Sequence, residues 1–288
     1  MTSSADSLWR VLLVLGRVSN LPTVWSNCLA GYFISGGGNV LELPRLLMGA
    51  SCLYVAGMFL NDAFDAEFDR EFCPSRPIPS GGLSAKWVWI LGSAILFAGL
   101  SCFMGQRSTT VALASALAGC ILCYNWVHKK SLASPFIMAS CRSLLFLTAA
   151  STAREGVGAN ALWLSLGLGA YIVGLSYVAK AERQPGLLRY WPFPFLLVPA
   201  LFAFLLNDGE RFMPSLVIVC MHLLWTASSM QHLFDNKNPN PGKCVSGLLA
   251  GIVWVDLMAT GGESLQLNLA FPMLFLLARV FQRHIPAT

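Results

Sequence analysis

Apolar residues run along this chain in stretches long enough to approach a bilayer crossing, separated by short polar turns. The stretches fall near 8–34, 46–64, 86–104, 109–126, 135–152, 161–179, 191–207, 213–233, 244–261 and 265–282. Ten crossings result, or nine if the last two form one bent or re-entrant pair. The runs are continuous in Leu, Ala and Gly, whereas the strands of a membrane barrel alternate polar and apolar residues. The pattern therefore predicts an all-α integral membrane protein, a bundle of nine to ten transmembrane helices. No Ser/Pro-rich linker or charge run divides it, so residues 1–288 read as a single domain.

Composition agrees: 56% of residues are hydrophobic and 11% charged, and the mean hydropathy is +0.62. Met1–Asp6 lacks the basic start of a cleavable signal, and the first apolar run carries Arg17, so that run is expected to stay. Most of the nine cysteines lie inside apolar runs, and the Cys120/Cys123 pair lacks further metal ligands nearby, so packing roles are expected. With the N-terminus cytoplasmic, ten basic residues (Arg70, Arg76, Lys86, Lys129, Lys130, Lys180, Arg183, Arg189, Lys237, Lys243) fall in inner loops. Four (Arg45, Arg107, Arg154, Arg211) fall in outer ones. This bias places both ends and the loop after the second run in the cytoplasm. It also accounts for the net charge of +5 without a nucleic-acid partner, since no basic stripe is present.

One stretch breaks the apolar pattern. FLNDAFDAEFDREFCPSRPIPSGG, Phe59 to Gly82, holds five of the chain's fourteen acidic residues. If the second helix continues past Leu60, then at roughly 100° per residue Asn61, Asp62, Asp65 and Asp69 share one face, while Glu67 and Glu71 point elsewhere. Such a cluster repels itself unless a cation sits within it, and its hard oxygens suit magnesium, which keeps several waters and pairs with substrate phosphates. The prolines and glycines of Arg76–Gly82 then turn the chain into a short loop, bringing the planar fork of Arg76 within reach of phosphate oxygens.

This combination, Asn61-Asp62-x-x-Asp65-x-x-x-Asp69 followed by Arg76-Pro77-Ile78-Pro79-Ser80-Gly81, resembles the first aspartate-rich motif of the UbiA superfamily of intramembrane prenyltransferases. The resemblance implies a UbiA-like bundle around a cavity open sideways to the bilayer. In it, Asn61, Asp62, Asp65 and Asp69 would hold magnesium on a prenyl diphosphate, and Asp65, Asp69 and Arg76 would form the catalytic core. The stretches LGRVSNLPTVWSNCLAG and GLSYVAKAE most resemble the EboC branch, found beside other Ebo proteins in bacterial metabolite clusters, which implies a bacterial inner membrane and Ebo-type partner proteins. A second acidic motif is expected after the sixth span; here only Glu182 remains, flanked by Lys180 and Arg183. Cations can neutralise diphosphate oxygens as a metal does, so these two are candidates for that role.

Relatives place first-span residues near the acceptor, which makes Arg17 and Asn20 candidates for an acceptor pocket. Lys129 and Lys130, in the polar edge Tyr124, Asn125, His128, Lys129, Lys130, are candidates for diphosphate contact, and Tyr177 for the cavity wall. Arg142 is free to pair with an acid, reach the diphosphate or serve structure alone. Asp256 is a lone buried acid, either a proton acceptor or simply protonated. The chemistry expected is magnesium-dependent transfer of a prenyl group from an isoprenyl diphosphate to a small acceptor, aromatic or not, within the membrane, with membrane lipid around the bundle. The alternative is a non-catalytic carrier of an isoprenoid-linked metabolite using the same cavity.

Overall fold

The computed structural model describes residues 4–181, 191–206, 212–234, 239–260 and 265–287. Among them the chain is all helical: α1 (Ser4–Leu15), α2 (Leu21–Ile34), α3 (Leu43–Phe64), α4 (Ala66–Phe72), α5 (Ala85–Ser101), α6 (Ser108–Val127), α7 (Ser134–Thr152), α8 (Ala159–Ala181), α9 (Phe193–Leu206), α10 (Phe212–Phe234), α11 (Pro241–Thr260) and α12 (Leu265–His284). Residues 40–64 and helices α6, α8, α10 and α11 supply five segments long and apolar enough to cross a membrane; α5 and α9 are shorter apolar helices.

The packing follows the order of the chain. Elements close in sequence pair most closely, α3 with α5 across the α4 segment, α7 with both α6 and α8, and α10 with α11. Two apolar cores result. One lies among α2, α3, α5, α6 and α7 around Leu53, Leu60, Phe103 and Leu145. The other lies among α7 to α12 around Leu168, Leu248, Ile252 and Phe271. Helices α2 and α7 serve both, Cys28 and Ala149 facing the first core and Ala30 and Phe146 the second. Their close approach depends on Gly31, where a Cβ would collide with the Phe146 carbonyl.

The first apolar run differs from the expectation of one continuous span. It breaks at Gly16–Asn20: α1 ends, Arg17 takes the left-handed conformation (φ 42°, ψ 46°), a 3-10 turn follows, and Pro22 opens α2. The physical reason is the charge on Arg17, which sits on an acid of α3 instead of in an apolar span. Val11 and Leu12 of α1 pack against a small third core of Leu15, Phe59, Ala63, Ala66, Ile78 and Val88. Ile78 thereby anchors the Arg76–Gly82 loop. That loop closes through Ser80 N–H to Arg76 O (3.0 Å), Gly81 N–H to Ile78 O (3.1 Å) and Gly82 N–H to Pro77 O (2.9 Å). Gly81, at φ 81°, supplies the left-handed turn that a side chain would strain.

Candidate functional site

Helix α3 does not run unbroken through the acidic stretch. It ends at Phe64, turns at Asp65 and resumes as α4, with Asp65 N–H bonded to Asn61 O and Asp69 N–H to Asp65 O. The helical phase therefore survives the joint. Asn61, Asp62, Asp65 and Asp69 come to one side, each 6% exposed or less, whereas Glu67 and Glu71 are exposed.

Burying three carboxylates is costly unless each is paired, and cations from three other segments pair them. Arg76 Nη1 lies 2.8 Å from Asp69 Oδ2, 3.5 Å from Asp62 Oδ1 and 3.9 Å from Asp65 Oδ2. Lys129 Nζ lies 2.9 Å from Asp65 Oδ1 and 3.6 Å from Asp69 Oδ1, and sits over the Phe68 ring at 3.6 Å. Arg17 Nη2 reaches Asp62 Oδ1 at 3.5 Å. The repulsion that the sequence reading expected a cation to relieve is relieved here by these three protein cations.

Two further residues belong to the cluster. His128 Nε2 is 3.2 Å from Asp65 Oδ2, and its ring stacks on Tyr124. Asn125 accepts from Asn61 Nδ2 (3.2 Å) and donates to Gly57 O (3.1 Å), tying α6 to α3. Their signal in the sequence was the polar edge closing the fourth apolar run. Burial pushes the Asp65 carboxyl upward, but hydrogen bonds and charge from His128 and Lys129 outweigh it and hold the group below its usual value. For Arg76, burial acts downward and the charges of Asp62 and Asp69 win, raising it further above the physiological range.

The remaining candidates lie elsewhere. Lys130 is exposed on the α6–α7 loop. Lys180 Nζ donates to Ser131 O (3.0 Å) and Tyr177 Oη to Leu132 O (3.1 Å), so both clasp that loop from α8; the Tyr177 ring packs on Phe136 and Trp191. Glu182 and Arg183 lie outside the described residues. Asn20 is buried and gives its Nδ2 to Ala287 O (2.9 Å). Asp256 is not alone: Ser26 Oγ and Asn27 Nδ2 donate to it, and Arg142 donates to Asn27 Oδ1 (2.8 Å). Asp62, Asp65 and Asp69 converge on the Arg76 guanidinium, and among the described residues no three carboxylate, imidazole or thiol side chains are arranged to hold a metal ion by themselves.

The model of the UbiA prenyltransferase family matches residues 22–188, more than half of the chain. The chain belongs to the UbiA prenyltransferase family. It is 28% identical to the digeranylgeranylglyceryl phosphate synthase of Methanopyrus kandleri over 61% of each chain. With the synthase of the same name from Metallosphaera sedula it shares 25% over 53% of this chain and 55% of that one. With that of Methanocaldococcus jannaschii it shares 34% over 32% and 33%. The chain spans a third to about half the length of these last two relatives. Its fold matches a solved UbiA homologue from Archaeoglobus fulgidus bound to GPP and Mg2+ (TM-score 0.63, 13% identity, 94% of this chain and 99% of that one). It also matches a digeranylgeranylglyceryl phosphate synthase structure (TM-score 0.61, 19% identity, 94% and 98%).

Proposed function

We propose that this UbiA family member transfers a prenyl group from an isoprenyl diphosphate to a small acceptor inside the membrane, as one domain over residues 1–288. The observation that carries the proposal is the buried set Asn61, Asp62, Asp65 and Asp69, with Arg76, Lys129 and Arg17 among its oxygens. Its hard oxygens suit magnesium, an ion that keeps several waters and shares substrate phosphate oxygens. When bound there, magnesium would supply positive charge to the diphosphate oxygens as the allylic C–O bond breaks.

The chain's own residues do the rest. Arg76 and Lys129, now on carboxylates, turn their N–H groups to phosphate oxygens and stabilise the leaving diphosphate. The electron pair of the C–O bond leaves with it, the acceptor's nucleophile attacks the allylic cation, and the acceptor then loses a proton. Lys180 with Arg183 and Glu182 is proposed to take the place of a second acidic motif. The ten-to-four loop bias supports an orientation with the acidic end in the cytoplasm. The stretch LGRVSNLPTVWSNCLAG, residues 15–31, supports the EboC branch, and with it a bacterial inner membrane and Ebo-type partners.

The degenerate second motif favours one other function, a carrier that holds an isoprenoid-linked metabolite. Mass spectrometry of lipids copurifying with the wild type and with Asp65→Ala separates the two. Transfer predicts a prenylated product absent from the variant; a carrier predicts the same lipid in both.

A further inference from the structure

Beneath the acidic cluster, a second polar group is buried where α2, α7 and α11 meet. Arg142 lies eight residues into α7 from Ser134, about 12 Å along the helix axis, and is 8% exposed. A guanidinium has five N–H donors. The two on Nη1 go to Asn27 Oδ1 (2.8 Å) and Thr23 O (3.3 Å), and one on Nη2 goes to Thr23 Oγ1 (3.1 Å). Nε–H and the second Nη2 hydrogen have no acceptor among the described residues. Tyr54 of α3 covers the group, its ring centroid 5.7 Å from Cζ.

Among the described residues no carboxylate lies in ion-pair contact with Arg142. The nearest acid in the network, Asp256, is separated from it by Asn27. Asp256 takes the Asn27 amide on both oxygens (2.8 and 2.7 Å) together with the Ser26 hydroxyl. These bonds fix the amide so that Oδ1 faces Arg142. A cation inside a membrane protein is expensive unless a partner completes it, and two adjacent N–H donors on a rigid plane match the two oxygens of a carboxylate or phosphate.

We propose that Arg142 seats an oxyanion, a carboxylate or a phosphate ester, carried by the acceptor, and that Asp256 is a positioning residue acting through Asn27. That the anion belongs to an acceptor rests on the prenyl-transfer proposal; the anion site itself does not.

The test is calorimetry on the full chain in nanodiscs, with benzoate and phenyl phosphate as probes and benzamide as the neutral control. One charged probe should bind saturably and benzamide should not; which one binds tells carboxylate from phosphate. Arg142→Gln should weaken that probe by about tenfold or more, roughly 1.4 kcal/mol. Arg142→Lys, which keeps the charge but not the fork and guards against simple misfolding, should lose less. Asp256→Asn should weaken the same probe and Asp256→Glu should restore part of it, a rescue that a purely structural clasp would not give. Geranyl diphosphate with magnesium, titrated in parallel, should bind Arg142→Gln and wild type alike; failure of that arm in the wild type refutes the donor site and leaves the anion site standing. Unchanged probe affinity in folded Arg142→Lys and Arg142→Gln, or binding of neither charged probe to the wild type, overturns the proposal.

Discussion

Donor and magnesium should bind this chain together and only weakly apart, and the reason is the charge balance of the cluster. Three carboxylates, Asp62, Asp65 and Asp69, face three permanent cations, Arg17, Arg76 and Lys129. A prenyl diphosphate alone adds about three negative charges, and magnesium alone adds two positive ones among cations already in place. Two unit charges about 5 Å apart at an effective dielectric of about 20 interact by about 3 kcal/mol. The Arg76 and Lys129 side chains are 22% and 24% exposed, so solvent screens part of this, leaving a coupling of about 1.5–3 kcal/mol. The perturbation is removal of magnesium with a chelator, and the assay is calorimetric titration of geranyl diphosphate into the full chain. Affinity should fall by about 10- to 100-fold, and by reciprocity the donor should tighten magnesium by the same factor. Equal affinity with and without chelator would refute the charge argument.

Three further outcomes follow from the same contacts. Arg76→Lys should weaken donor binding by about tenfold although the charge is kept, because an ammonium cannot offer phosphate oxygens the planar fork of the guanidinium, whose Nη1 alone now meets Asp62, Asp65 and Asp69; calorimetry on the folded variant reads it. Asp65 is held below its usual value, so its stabilising contribution is complete above the ordinary aspartate value of about 3.9 and is lost as pH falls through the lower folded value. Asp65→Asn should therefore flatten the acid limb of the unfolding curve below that pH and leave its neutral-pH slope unchanged. Gly31→Val should lower thermal stability by about 1–3 kcal/mol, read from the unfolding midpoint, since its side chain meets the Phe146 carbonyl where α2 crosses α7.

Helix positions were legible wherever a long apolar run ended in polar residues. The runs at 109–126 and 213–233 became Ser108–Val127 and Phe212–Phe234. The break at Gly16–Asn20 was not legible, because Leu and Val flank it on both sides and only the distant Asp62 gives Arg17 a reason to leave the apolar phase. The shared face of Asn61, Asp62, Asp65 and Asp69 could be read from a local period, and the joint at Asp65 preserved that period. The cations could not be read with it. Arg17 and Lys129 stand more than forty residues from the acids they meet, and spacing along a chain carries no information about such contacts. The partners of Asp256 were hidden for the same reason, since Ser26 and Asn27 lie in the first apolar run, as was the bond from Arg142 of the fifth run to Asn27.

Prenyl transfer by the acidic cluster is tested most directly by pyrophosphate release. Purified full-length protein in nanodiscs, with magnesium, receives allylic diphosphates of several chain lengths and cell-extract metabolites as acceptors. Release should occur with at least one donor and fall by about a hundredfold in Asp69→Asn, the carboxylate that Arg76 holds at 2.8 Å. No release from any donor by demonstrably folded wild-type protein, or equal release by Asp69→Asn, would contradict it.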